Sequence, residues 1–209
     1  MNVLNFPVTA IIILGTVLLS INAFNNNDIK YKWIYSPFKV NKDKEYYRIF
    51  SHIFIHGDYM HLFFNMFVLF SFGNIMESQF MKEFESVSGH IHFVLLYFLG
   101  GIAAAIWPFI RNKDNPNYMS LGASGAVSAV LFASILWMPE GGIYLMFIPF
   151  EIPAWLFGIL YLGFEYYMSR KGGTGIAHDA HFGGAIFGIL YVLAVNPAKG
   201  MEFIYYIIS

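Results

Sequence analysis

Cysteine is absent from the 209-residue chain. That excludes disulfides, thiolate metal sites and a cysteine nucleophile, and it leaves the redox compartment unmarked. Charge is also scarce: Asp, Glu, Lys and Arg make up 12% of the residues, against roughly a quarter in an ordinary soluble domain. So few charges could not cover the core of a soluble fold of this length. The formal net charge is -1, with no basic tract, so nucleic acid is not an expected partner. What the chain does have is apolar surface: 57% hydrophobic residues, 23 of them Phe, and a mean hydropathy of +0.56. The expected class is an all-α polytopic membrane protein whose solvent is the lipid bilayer.

A bilayer-spanning helix needs about 20 mostly apolar residues. Six stretches qualify, at about 7–24, 60–80, 91–110, 121–138, 148–168 and 180–196. No basic residue precedes the first stretch and no small-x-small signature follows it, so it reads as a retained span rather than a cleaved signal. The tail from Met201 to Ser209 is apolar but too short to cross. The first loop, roughly 25–59, mixes charges with Tyr31, Trp33, Tyr35, Phe38, Tyr46, Tyr47 and Phe50, a composition suited to a partly folded segment at the membrane surface. With no repeat, low-complexity run or boundary, residues 1–209 read as a single membrane domain.

Spans two, four and six each follow an odd-numbered loop and therefore run in the same direction. His61 lies near the start of span two, Ser124 near the start of span four and His181 near the start of span six, so the three share one side and a similar depth. Ser124 sits between glycines in Gly122-Ala123-Ser124-Gly125, where backbone amides can approach a ligand unobstructed. The helix that follows offers unpaired amides and a positive dipole end, suited to the negative oxygen formed in acyl transfer. His181 shares a helix face with Gly184, Ala185 and Gly188, and span four offers Gly125, Ala129 and Ala133. Packing of these small-residue faces would bring the imidazole to the hydroxyl, the usual activation of a serine. His61 and Asn65, at i and i+4, read as oxyanion donors. Ser128 reads as structural, His178 as interfacial, and His52 and His56 as packing at the membrane edge. Asp179 points elsewhere on its helix, and nothing in the spacing requires Glu165 to approach His181, so a two-residue Ser-His dyad is expected.

Tyr47-Arg48-Ile49-Phe50-Ser51-His52, His61-Leu62-Phe63-Phe64-Asn65, Gly122-Ala123-Ser124-Gly125 and His181-Phe182-Gly183-Gly184-Ala185 with Gly188, in this order, resemble the rhomboid family of intramembrane serine proteases. The resemblance covers about residues 45–190. It implies a six-helix membrane bundle in which Ser124 is the nucleophile and His181 the general base. His61, Asn65 and the Ser124 amide would form the oxyanion hole, and neither metal nor cofactor takes part. It further implies transmembrane protein substrates with helix-destabilising segments, cut near the membrane surface at small residues. The first loop would be half-submerged, and span five with the following loop would be a lateral gate. Two positions depart from the family pattern: Ser128 stands where an aromatic often stacks on the histidine, and Tyr47-Arg48 stands where Trp-Arg is commoner.

All of the 12 Lys and Arg except Lys82 and Lys199 fall in loops on the active-site side. By the positive-inside rule that side would be cytoplasmic. The resemblance implies the opposite for a bacterial inner membrane, with the site toward the extracytoplasmic side, and that orientation is the expectation. Two other functions fit the residues less fully. One is a metalloenzyme using His52 and His56 with His178 and His181 as ligands. The other is a non-catalytic relative that binds membrane clients.

Overall fold

The structure, a computed structural model of the chain, describes residues 7–144, 150–171 and 175–209. Helix α1 (Pro7–Asn25) leads into three short helices of the first loop, α2 (Asn27–Trp33), α3 (Pro37–Lys42) and α4 (Arg48–Ser51). Then α5 (Tyr59–Val68) continues through a π turn at Leu69–Gly73 into α6 (Asn74–Phe84). Next come α7 (Ser86–Ala104), α8 (Ile106–Asn112) and α9 (Ser124–Trp137). A two-residue strand pair, β1 (Gly142–Ile143) with β2 (Ile152–Pro153), precedes α10 (Ala154–Lys171), α11 (His178–Val195) and α12 (Ala198–Ile208).

The six expected stretches overlap helices α1, α5–α6, α7–α8, α9, α10 and α11, with shifted ends. Among the described residues, four helical stretches are long and apolar enough to cross a membrane: Val8–Asn25, Tyr59–Phe84, Ser86–Asn112 and His178–Val195. The fifth expected span, 148–168, begins too early. Its residues 148 and 149 lie outside the described residues, Ile152 and Pro153 form β2, and the helix runs on to Lys171. Hydropathy alone favours an early start there, because an extended apolar segment and a helix score alike.

Helix α1 shows how the bilayer rearranges the usual pattern of polarity. Its inward face carries Thr9, Ile12, Thr16, Ser20 and Ala23, all buried, while Ile11, Leu14 and Leu18 are exposed. Small polar residues pack against neighbouring helices and large apolar ones face lipid, as expected where lipid tails are as apolar as leucine. The first-turn amides of α1 are capped from another span. The buried Glu77 carboxylate accepts from Val8 N (3.1 Å), Thr9 N (3.0 Å) and Thr9 Oγ1 (2.6 Å), and it pairs with His90 Nδ1 at 2.7 Å. A carboxylate at a helix N-terminus offsets the dipole and satisfies orphan donors. Four hydrogen bonds explain how a carboxylate is tolerated in that interior.

Helix α9 is the axis of the fold, with every residue from Gly125 to Trp137 buried. Its closest neighbour is α11. A Cβ on Gly184 would overlap Gly125 O, and one on Gly188 would overlap Ala129 O, so these two helices meet backbone to backbone on the small-residue faces expected from sequence. Gly188→Val should therefore cost about 1–3 kcal/mol through overpacking. It should also lower the thermal midpoint in detergent micelles. Gly163→Ala, on an α10 face with nothing within 4 Å, should leave the midpoint unchanged or raise it; equal midpoints for the two variants would refute the close α9–α11 contact.

Candidate active site

The segment entering α9 is held by the first loop. Tyr35 and Ser120 exchange backbone hydrogen bonds (2.9 and 3.1 Å), and Gly122 N donates to His52 O at 3.0 Å. The first loop is itself pinned by buried Arg48. Its Nη1 donates to Tyr31 O (2.8 Å) and Ile34 O (2.7 Å), and its Nε donates to Glu45. The guanidinium hydrogen bond holds the Glu45 carboxyl below its ordinary value. His56 completes the frame. Ala123 N donates to His56 Nε2 (3.3 Å), so the ring proton sits on Nδ1, which meets Ser20 Oγ at 2.9 Å; Ser20 Oγ in turn donates to Phe54 O at 3.0 Å. His56 is therefore not packing at the membrane edge. It is fully buried and joins α1 to the residue before Ser124. His52 is buried as well, with its Nδ1 donating to Arg48 O at 2.9 Å.

Gly122 has φ +122°, a conformation that favours glycine. A Cβ there would also lie 2.7 Å from His61 Cε1 and 2.8 Å from His61 Nε2. The glycine thus makes the turn and lets the His61 ring settle over the backbone two residues before Ser124. Asp58 caps α5 by accepting from His61 N at 2.8 Å, and that backbone hydrogen bond holds its carboxyl below the ordinary value. Gly57 N donates to His61 Nδ1 at 3.4 Å, which leaves Nε2 as the ring N–H donor. Asn65, buried one turn further along, donates from Nδ2 to His61 O at 2.8 Å, with a second amide proton for another acceptor.

Ser124 is the first residue of α9, and His181 lies in the first turn of α11. Ser124 Oγ and His181 Nε2 are 2.7 Å apart. The other ring nitrogen, Nδ1, lies 3.1 Å from Glu165 Oε1. The second carboxylate oxygen, Oε2, is 2.6 Å from His178 Nδ1. The expectation that no acid stands at His181 is thus corrected, as is the interfacial reading of His178, which is buried. Sequence offered one sign of Glu165, a carboxylate near the end of an apolar stretch. What it could not show is the rotation of α10 that turns this carboxylate inward. Ser128, in the place of an aromatic, has its Oγ 3.4 Å from Tyr161 Oη, and Tyr161 lies one turn before Glu165.

Glu165, His178 and His181 present ligand atoms within 4.8 Å of one another and are the described residues that could hold a metal ion. His52 and His56 do not join them: His52 Nδ1 donates to Arg48 O, and the His56 ring nitrogens meet Ser20 and Ala123. Beside Ser124 lies a cavity of about 20 Å³ bordered by His52, Gly101, Gly122 and Ala180, room for one water. A larger cavity of about 430 Å³ borders His178 and Asp179, with Arg111, Asn117 and Ser120 among its walls. Helix α9, with 14 residues, is about 21 Å long, shorter than a hydrocarbon layer of about 30 Å.

A family model described as a rhomboid domain matches residues 43–197. Among curated relatives, RHOMBOID-like protein 12, mitochondrial, of Arabidopsis thaliana is 28% identical over 160 residues, 69% of this chain and 45% of the relative. The presenilin-associated rhomboid-like protein, mitochondrial, of Mus musculus is 30% identical over 141 residues, 66% of this chain and 35% of the relative. Rhomboid protease GlpG of Haemophilus influenzae is 28% identical over 167 residues, 79% of this chain and 77% of the relative. The chain thus spans less than half the length of the two mitochondrial relatives.

Burial pushes the His56 imidazole down to about 3 and that of His52 to about 4, from an ordinary 6.5. Both stay neutral in the fold while an unfolded chain would protonate them. Their contribution to stability is complete above about pH 6.5 and is lost progressively as pH falls toward the folded values. The thermal midpoint should accordingly drop between about pH 6.5 and pH 4. His56→Asn should lower the midpoint at pH 7.5 and flatten that acid slope; a slope identical to wild type would show that His56 does not carry it.

Proposed function

The chain belongs to the rhomboid family, and from that membership we propose that it is an intramembrane serine endopeptidase, with one membrane domain that cuts transmembrane protein substrates. The fold is helical and polytopic. The observation that carries the catalytic reading is the 2.7 Å separation of Ser124 Oγ and His181 Nε2, made by residues 57 positions apart. His181 Nε2 takes the hydroxyl proton as Ser124 Oγ attacks the scissile carbonyl carbon. The oxyanion formed is met by His61 Nε2–H, the Asn65 carboxamide and the Ser124 amide at the α9 N-terminus. His181 then returns the proton to the leaving amine. Water hydrolyses the acyl-enzyme, again deprotonated by His181 and freeing Ser124. No step draws on a cofactor or metal.

The name of the Haemophilus influenzae relative, rhomboid protease, supports the same reading; the names of the mitochondrial relatives state no activity. The expectation of a bacterial inner membrane draws no support from those mitochondrial relatives, and the location we retain is a multi-pass membrane protein within a lipid bilayer. We keep the site on the extracytoplasmic side, or its organellar equivalent. Arg48, one of the basic residues weighing against that side, is buried on backbone carbonyls and does not act as a loop charge.

Purified protein should react with a fluorophosphonate probe and cleave a model transmembrane substrate. Ser124→Ala and His181→Ala should reduce cleavage to below about 10⁻³ of wild type. His61→Ala and Asn65→Ala should each slow it about 10²–10³-fold without ending it, and chelators should leave the rate unchanged. Cleavage persisting in Ser124→Ala would remove the nucleophile. Bound metal with loss of activity on chelation would favour a metalloenzyme built on Glu165, His178 and His181. Absence of probe labelling at any pH would favour a client-binding protein.

A further inference from the structure

We propose that Glu165 is a positioning residue for His181, so that the site works as a Ser124–His181–Glu165 triad whose carboxylate is itself held by His178. The inference rests on the serine-protease reading above and extends it. Its basis is a pair of contacts on one buried carboxylate: Oε1 at 3.1 Å from His181 Nδ1 and Oε2 at 2.6 Å from His178 Nδ1. Glu165 is 3% exposed and lies on α10, whereas both imidazoles lie on α11. A carboxylate so buried requires partners, and here each oxygen meets one ring nitrogen.

The chemistry follows from the atoms. An ionised carboxylate only accepts hydrogen bonds, so the His181 nitrogen facing it carries the ring proton. That places the free lone pair on Nε2, 2.7 Å from Ser124 Oγ. With Nε2 protonated instead, the ring could not accept the serine proton. When that proton arrives at Nε2, the imidazolium faces a negative charge across a direct 3.1 Å contact, which stabilises it as it forms. The proton on Nδ1 stays on the ring throughout and Glu165 stays ionised.

The second contact fixes the carboxylate's rotation. His178 and His181 are three residues apart on α11, one turn from each other, so both can address one side chain arriving from α10. Ser128 on α9 faces Tyr161, and the carboxylate supplies an orienting contact at the ring nitrogen remote from Ser124. A base held this way depends on α10 remaining docked, since the carboxylate leaves with that helix.

The test uses the purified protein in detergent with a transmembrane substrate. Glu165→Gln keeps the shape and removes the charge. Its kcat should fall about 10²-fold or more, with KM changed less than about threefold. Glu165→Asp, which keeps the charge one methylene short, should recover part of that loss. In ¹⁵N-histidine spectra of wild type, neutral His181 should carry its proton on Nδ1, and the Gln variant should lose that preference. Wild-type kcat in Glu165→Gln, with Ser124-dependent cleavage intact, would overturn this inference alone. Wild type without any Ser124-dependent cleavage would overturn the protease reading and the triad together. Should the variants fail to fold, the wild-type spectrum still decides: neutral His181 protonated on Nε2 overturns the proposal.

Discussion

The backbone contact between α9 and α11 sets the distances on which the rest depends. Gly184 lies against the Gly125 carbonyl and Gly188 against that of Ala129, an approach no larger residue permits. Lipid supplies no hydrophobic force between helices, so such pairs hold through close packing and polar contacts. Because Ser124 begins one helix and His181 sits in the first turn of the other, the packing register also sets where hydroxyl and imidazole meet. A separation larger by one side chain would leave the two groups out of reach while leaving each helix intact.

Among the described residues, buried Glu77, Arg48 and Glu165 are each well partnered. Glu77 receives three donors from the start of α1 and faces His90. Arg48 donates to two carbonyls and to Glu45. Glu165 meets two imidazoles. In a medium without water each unpaired polar atom costs several kcal/mol, so these networks select one arrangement of the helices over near alternatives. The first loop belongs to the same logic. Through Tyr35, His52 and His56 it fixes the backbone from Ser120 to Ala123, a segment that leads into α9 without helical structure of its own.

The apolar stretches and the small-residue faces were legible in the sequence, because hydropathy and helical periodicity are local properties. So were Ser124, His181, His61 and Asn65, whose chemistry is out of place in apolar surroundings. Less legible were groups whose function depends on rotation about a helix axis. Glu165 could be read as a carboxylate near the end of a span, and only the turn of α10 aims it at α11. His178 reads as interfacial and His56 as packing at the membrane edge because both lie at the edges of apolar stretches. Burial there is decided by loop and helix packing from elsewhere in the chain.

Residue order by itself determined that this protein is a helical membrane protein, which polar residues stand near the starts of its apolar stretches, and which of those side chains suit acyl chemistry. Tertiary structure alone decided which of those side chains touch, which nitrogen of His181 faces Ser124, and that an acid stands behind it. The physical reason is that a membrane helix is specified by composition along its length. Its azimuth and depth are set by contacts with neighbours that sequence spacing does not encode.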